Sequence, residues 1–476
     1  MRLALKVLCS FIFFMPLQHV HAQRYLGIAT SDWNAINSVY LNPANIADCR
    51  EKFSISIFSF CGYLDNNLGT FPKIADITNA ASGGNNIFHN TGRSSFSMLA
   101  PAAEVRGPGI MVSINDKNSI ALTTDVRGIN QFNNFSQSLY QAITNPNFTS
   151  AQSYTVKAHN FNWTANLWSE IGLTYAATVR QDKRNRLNIG ITIRRLGGIG
   201  YISTVGNVDV NYKGGTDSFF ASNSNVAFGS NVINDSSAVF NGISTSGLFS
   251  KVFGEGAGGG FGADIGFTYR YRIGEAETED YMESDQTHDI IFSASITDIG
   301  SIEYFRSTNA VINVTGSGSV TGQGLSANSG NLSSFEAYTH SQGFNLDTQT
   351  NTRKVYLPTA LLISGDIQVY GPFCANLLFI GNLANRMNFG NSYYDQLTLT
   401  PRYDNHRITI ALPITYSLLA HDMKMGIGLR YSGFFIGCDD ALALISRYQY
   451  GFGAYVGGYI PLFKKKRDPL GYHWHE

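Results

Sequence analysis

An all-β fold, a transmembrane antiparallel β-barrel of about fourteen strands with a short N-terminal plug, is the class this sequence predicts. Three observations carry it. Short runs of alternating apolar and polar residues recur from Phe53 to Phe463, and no long apolar helix follows the first few residues. The chain is also 13% aromatic and carries 48 glycines but only 14% charged residues, against roughly 25% charged in soluble domains. Abundant aromatics and glycine with little charge suit strands girdled by aromatic belts.

The N-terminus reads as a secretory signal over 1–22. Arg2 and Lys6 precede the apolar stretch Val7 to Leu17, and Val20-His21-Ala22 offers a small residue for cleavage before Gln23. The apolar core is too short to span a bilayer. Cys9 lies inside that core and away from any lipoprotein cleavage position, so an unlipidated mature N-terminus is expected. Removing Arg2 and Lys6 from 34 basic residues leaves 32 against 34 acidic ones, a net charge of −2. No basic face for nucleic acid is present.

Residues 23–52 have another character and read as a plug or hatch in the barrel mouth. Ser31 or Asp32 can cap a short helix over Asp32 to Ser38, and Asn42-Pro43-Ala44-Asn45 interrupts it with a turn. Pro43 fixes its own φ and pushes Asn42 out of the helical region, while Asn42 and Asn45 supply amides for a turn inside a polar lumen.

The barrel is expected over 53–463. Its clearest strand is Lys424 to Tyr431, where Met425, Ile427, Leu429 and Tyr431 share one face and Lys424, Gly426, Gly428 and Arg430 the other. Leu187 to Arg194, Asp264 to Tyr271 and Ile408 to Thr415 alternate in the same way. With a side-chain period of two, one face can meet lipid while the other lines a polar lumen. A soluble β-sandwich alternates too, so periodicity alone does not separate the two. Coarse strands fall at 53–60, 95–114, 118–127, 165–180, 185–202, 261–273, 287–299, 354–370, 373–382, 395–404, 406–418, 423–434 and 447–463, with an additional one within 301–315. Hairpin turns are expected at 115–118, 181–185 and 404–406. The Asn, Ser, Gly and Thr-rich insertions at 61–94, 128–164, 203–260 and 316–353 read as outward loops. Residues 464–476 form a charged periplasmic tail after the last strand aromatic, Phe463.

At this point the residues resemble a family. Ser38-Val39-Tyr40-Leu41-Asn42-Pro43-Ala44-Asn45 is similar to the Asn-Pro-Ala segment of the outer-membrane long-chain fatty-acid transporter superfamily, which also includes the shuttle barrel of type 9 secretion. Gly262 to Phe267 and Ser295 to Gly300 look like strand motifs of that group, and Gly433 to Asp440 resembles a C-terminal signature of an uncharacterised branch. The resemblance implies a fourteen-strand barrel with an N-terminal hatch, in the outer membrane of a Gram-negative bacterium. It does not imply a fatty acid as ligand.

Few residues suggest chemistry. Gly254-Glu255-Gly256-Ala257-Gly258-Gly259 matches a dinucleotide fingerprint only as a bare pattern, because a strand and not a helix follows. His473, His475 and Glu476 could hold a metal but sit in a terminal tail, where they read as solvated side chains. No catalytic, cofactor or metal site is expected, and the chain reads as a non-enzyme. Candidate lumen residues are Glu170, Arg194, Asp264, Arg270, Asp366, Lys424 and Arg430, with Arg180 nearby. Their ordinary role is to pair across the lumen and fill it; the sharper reading is a charged permeation path or ligand site. Cys49, Cys61, Cys374 and Cys438 can pair most simply as 49 with 61 and 374 with 438, but sequence leaves all pairings, and thiols, open.

Three functions remain. The first is passage of a hydrophobic or amphipathic small molecule across the outer membrane, with membrane lipid around the barrel. The second is a non-transporting platform or secretion-associated barrel that binds secreted or surface proteins. The third is a secreted soluble β-rich binding protein.

Overall fold

The fold comes from a computed structural model that describes residues 25–70, 89–90, 94–137, 153–182, 184–213, 218–231, 257–273, 288–304, 310–321, 323–324, 327, 332–349, 353–442 and 450–464. The strands are β1 (Glu51–Asn66), β2 (Ser95–Arg106 with Gly109–Ser113), β3 (Asn118–Ser136), β4 (Tyr154–Gln181), β5 (Asn185–Lys213), β6 (Ser218–Ser230), β7 (Gly258–Ile273), β8 (His288–Tyr304) and β9 (Ala310–Thr321). They continue with β10 (Phe344–Gln349), β11 (Arg353–Tyr356 with Ala360–Tyr370), β12 (Phe373–Asn382), β13 (Gln396–Asp404), β14 (Ile408–Ala411 with Ile414–Ser417), β15 (Asp422–Met425 with Ile427–Tyr431), β16 (Phe434–Cys438) and β17 (Gly451–Lys464).

All of these except β6, β9 and β10 form one closed antiparallel ring of 14 strands. It closes where β1 pairs with β17, from Glu51 opposite Lys464 to Asp65 opposite Gly451. Closure leaves the wall no open strand edge, as a hydrocarbon environment demands. Side chains follow the alternation read from the sequence. In β15, Ile427, Leu429 and Tyr431 are 38%, 41% and 68% exposed on the outside, whereas Arg430 between them is 2% exposed and points into the lumen. The outer face of the consecutive strands β4, β5 and β7 carries Leu173, Ile189, Ile191, Ile193, Ile265 and Phe267, all exposed. Such a continuous apolar exterior belongs against lipid. No described helix is long and apolar enough to cross a membrane.

One end of the barrel is closed by tight turns that share a device. Asn115 Oδ1 accepts from the backbone N–H of Lys117 and Asn118, Asp182 Oδ1 from Arg184 and Asn185, and Asn405 Oδ1 from Arg407 and Ile408, at 2.8–3.0 Å. Each side chain mimics a backbone turn, and this is why short polar residues occupy these positions.

The opposite end departs from expectation. Strands β4 and β5 run for 28 and 29 residues, two to three times what a tilted strand needs to cross the hydrocarbon. Their far halves leave the barrel and continue as a sheet in which β5 pairs with β6, β6 with β9, and β9 with β10. Helix α2 (Leu332–Ser341), counted after the short hatch helix α1 (Leu26–Ala29), lies beside β10, with Tyr338 packed near Phe344 and Val320. The insertions at 203–260 and 316–353 therefore carry strands where loops were expected, and the strand within 301–315 belongs to this outer sheet. Beyond the membrane both faces of a strand can be polar, so the alternation that marks a strand in sequence disappears. The remaining barrel strand is β16, of which the 423–434 assignment reaches only the first residue, Phe434. Ser432, at φ 53°, and Gly433 make a turn tight enough to hide the boundary.

The hatch helix expected over Asp32 to Ser38 is instead a chain of short turns. Helix α1 is followed by 3₁₀ segments over Ala35–Tyr40 and Pro43–Ala47. Asn42 does not interrupt a helix but caps the second segment, its Oδ1 accepting from Ala44 N at 2.9 Å with Pro43 in the first position. Cys49, Cys61, Cys374 and Cys438 are unpaired thiols in this structure. The signal stretch, residues 254–256 of the glycine pattern, and His473, His475 and Glu476 lie outside the described residues.

The assigned lipid face makes a direct demand. Ile427→Arg or Leu429→Arg should lower barrel stability by about 2–4 kcal/mol near the bilayer midplane and less toward its edges. Denaturant titration of the barrel folded into vesicles measures this, and full stability in both variants would refute the outward assignment.

Candidate functional site

The lumen is filled from one end by the hatch. Its backbone joins none of the described wall ladders. Side chains and side-chain-to-backbone bonds hold it instead. Asn42 Nδ2 donates to Phe267 O at 2.9 Å and Ala294 O at 3.3 Å, Ser295 Oγ donates to Leu41 O at 2.7 Å, and Ser31 Oγ donates to Asp404 Oδ1 at 2.9 Å. Leu26 N donates to Asp439 Oδ1 at 3.1 Å, and Tyr459 OH donates to Trp33 O. Glycines make room for this approach. A methyl group at Gly190 would overlap the backbone of Pro43 and Ala44, and one at Gly266 would overlap the Asn42 amide. The Asn-Pro-Ala segment thus rests on a floor of small residues in β5 and β7.

Charge secures both flanks of the hatch. Asp48 pairs with Arg270 at 2.6 Å and with Arg186 at 3.3 Å, and Asp32 meets Arg270 at 3.2 Å and Arg50 at 3.4 Å. On the other flank the Arg106 guanidinium lies 4.1 Å from the Tyr25 ring centre and 3.9 Å from that of Tyr40, and its Nε donates to Glu104 Oε1 at 2.6 Å. One wall cation stacked between two hatch aromatics is held by both cation–π attraction and packing.

Above the hatch the wall strands contribute a buried ion network. Arg127 Nη1 reaches Asp298 Oδ1 at 2.7 Å and Glu170 Oε1 at 3.1 Å, while Arg194 pairs with Asp264, with Asp298 at 2.7 Å and with Glu170 at 3.2 Å. Tyr393 OH donates to Asp298 Oδ2 at 2.7 Å, and Trp168 Nε1 donates to Glu170 Oε1 at 2.5 Å. Asp298 enters the lumen through a bulge in β8. Its φ of 57° and the register shift opposite Ala263 to Ile265 turn both Thr297 and Asp298 inward. Its backbone N–H then donates to Asp264 Oδ1 at 2.8 Å.

A second closure comes from the β12–β13 connection, residues 383–395, which folds into the lumen from the long-loop end. Gln131 and Ser392 exchange two hydrogen bonds at 2.7 and 2.8 Å, and Asn162 Nδ2 donates to the Arg386 and Asn388 carbonyls at 2.7 and 2.9 Å. Phe389 and Tyr394 of this loop pack with Trp168, Leu196, Tyr201 and Tyr304 in an apolar cluster inside the barrel. Between hatch, network and loop lies a polar cavity of about 30 Å³, and a second of about 60 Å³ lies beside Asp48, Arg270 and Asp366. The lining of the first is mainly polar, and that of the second is mixed.

Of the candidate lumen residues, Glu170, Arg194 and Asp264 meet in the central network, and Arg270 holds the hatch. Asp366 pairs with Arg402 at 2.6 Å, and Arg430 reaches Asp404 at 3.5 Å on the far wall. Lys424 pairs with Asp65 at 2.8 Å. Arg180 does not join them: past a bulge at Thr178 to Arg180 it is largely exposed beside Asp182. Sequence reasoning missed Glu104, Arg106, Asp125, Arg127, Asp298 and Tyr393. The first four carried a signal, because Asp125 and Arg127 continue the inward phase of Ala121 and Thr123, and Glu104 and Arg106 lie opposite Arg127 and Asp125. Asp298 and Tyr393 carried none, since a bulge and an inward-folding loop have no period. Among the described residues no cluster of His, Cys, Asp and Glu is arranged to hold a metal ion.

Residues 43–439 match the model of a family described as a family of unknown function, DUF5723. Nothing among curated proteins matches the chain. Solved structures with similarity include the toluene transporter TodX of Pseudomonas putida, at TM-score 0.41 and 9% identity over 94% of this chain and 100% of that one. A FadL homologue of Pseudomonas aeruginosa gives 0.32 and 11% over 93% and 99%, and the translocator domain of the autotransporter NalP of Neisseria meningitidis gives 0.30 and 8% over 86% and 88%. The barrel assignment rests on the strand ladder itself.

Two arginines share Asp298, so its removal leaves both short of a partner in a desolvated lumen. Asp298→Ala should cost about 3–5 kcal/mol of barrel stability. Asp298→Asn, which keeps the Tyr393 contact and tolerates the left-handed backbone, should cost less. Paired unfolding titrations decide it, and equal losses would show that the lost charge, and not the hydrogen bonds the amide retains, sets the cost.

Proposed function

We propose that this chain, which belongs to the DUF5723 family of unknown function, is an outer-membrane conduit in its closed state that passes an amphipathic small molecule once the hatch moves. One observation carries the reading. The hatch is held by side chains over a glycine floor and shares no backbone ladder with the wall, so it can leave without opening the barrel's hydrogen bonds. A polypeptide meant as permanent filling gains more by pairing its backbone with an adjacent strand. Polar contacts of modest individual strength suit a reversible plug.

The amphipathic character of the cargo follows from the lining. The charged network offers partners for a polar headgroup, and the adjoining cluster of Trp168, Leu196, Tyr201 and Tyr304 offers apolar surface once Phe389 and Tyr394 withdraw with their loop. A purely hydrophobic cargo fits less well, because the space beside the hatch is polar. By the rule that outer-membrane barrels keep short turns in the periplasm, the hatch enters from the periplasmic end and the 383–395 loop closes the external one.

A second reading has its own support. The sheet of β6, β9 and β10 projects beyond the barrel and ends on the strand Phe344–Gln349, a surface to which a secreted or surface protein can add. In that case the conduit is sealed for good.

Two variants separate the readings. Deleting Arg24 to Arg50 should leave a heat-modifiable barrel, because the ladder from Glu51 closes without the hatch, and should raise solute leakage from loaded vesicles several-fold. Gly190→Ala should displace Pro43 and Ala44 and raise leakage less. An intact barrel with unchanged permeability in both would defeat the gating reading, and a specific protein partner without copurifying lipid would favour the platform.

A further inference from the structure

The small cavity between hatch and wall is lined by three carboxylates, Glu104, Asp125 and Asp298, and three arginines, and the buried network around it carries more negative than positive charge. Five carboxylates, Glu104, Asp125, Glu170, Asp264 and Asp298, gather around three guanidinium groups, Arg106, Arg127 and Arg194, and all eight side chains are buried. The arginines are spent on the other four acids. Asp125 forms no ion pair with any described residue, and its Oδ2 is buried without a hydrogen-bond partner. Two hatch residues on the same cavity are equally incomplete: Asn34, 1% exposed, has an unmatched Oδ1, and Asn37, 4% exposed, an unmatched Nδ2. Arg127 Nε is a further unmatched donor there. Polar atoms buried in this way require partners.

We propose that this cavity binds a hydrated monovalent cation, which bridges Asp125 of the wall to Asn34 of the hatch. The ion takes the two unmatched acceptor oxygens, and one of its waters accepts from Asn37 Nδ2 or Arg127 Nε. The volume of about 30 Å³ holds an ion and a water, at roughly 10–15 Å³ per water-sized sphere. One carboxylate oxygen and one amide oxygen are too few hard charges for a divalent ion, which gathers several carboxylates. The ion offsets charge that the lumen otherwise buries uncompensated, and because it touches both partners it fastens the hatch. This site is independent of the cargo: it is present whether or not the barrel transports anything.

The full-length barrel in detergent, at constant pH and ionic strength, is titrated with NaCl or KCl replacing choline chloride, whose cation is too large for the cavity. Trp168 reports, since its indole donates to Glu170 and Glu170 lies directly across the strand pair from Asp125. A saturable change in emission and slower proteolysis within residues 25–50 are expected. Asp125→Asn should weaken the response at least ten-fold while the barrel stays heat-modifiable, and Asn34→Ala should weaken it where Asp125→Asn does not fold. Identical behaviour in choline, sodium and potassium would overturn the proposal, as would a response that follows pH and ignores the cation, or an undiminished response in both variants.

Discussion

Closure of the backbone ladder is the constraint from which the rest of this structure follows. A strand that crosses hydrocarbon must find every hydrogen-bond partner on its neighbours, and pairing β1 with β17 meets that demand for the whole ring. The ring in turn creates an interior that must be filled. Every second side chain points into that interior, where buried wall residues and inserted chain satisfy one another.

The filling uses two chemistries with different consequences. Between wall strands the partners are fixed by register: Thr174 with Thr192, Thr398 with Thr415, and the Arg127, Arg194 and Asp298 group bond across adjacent or facing strands. Such bonds are part of the barrel and last as long as it does. Between wall and hatch the partners come from a segment tethered at one end, and each contact can be lost without disturbing the ladder. Gly190 and Gly266 in the strands and Arg106 between Tyr25 and Tyr40 define where that segment sits. Small residues set how closely it approaches, and aromatic stacking sets its angle.

The two ends are closed on different terms. The hatch enters beside β1 and rests on side chains, whereas the 383–395 loop is anchored at both ends by β12 and β13 and adds to its bonds with the Gln131 and Asn162 side chains a backbone bond from Tyr356 N to Phe389 O. Moving the loop exposes the aromatic cluster it covers. Moving the hatch exposes charge. The lumen between these two covers thus holds an apolar cluster on one side of its ion network and a polar cavity on the other.

The sequence alone determined the barrel, its approximate strand count, the outward face of four of its strands and the presence of an inserted N-terminal segment, because these depend on a period of two and on local turn chemistry. It also placed Glu170, Arg194, Asp264, Arg270, Asp366, Lys424 and Arg430 on polar faces. Which of them meet was decided only by the tertiary structure. Register brings Asp125 opposite Glu170, a bulge turns Asp298 inward, and a loop from the far wall delivers Tyr393. The sheet beyond the membrane escaped notice for a related reason: once both faces of a strand are wet, alternation ends while hydrogen bonding continues. Periodicity records what each residue faces, but contact across a lumen depends on how strands are staggered around the ring, and no short stretch of sequence contains that information.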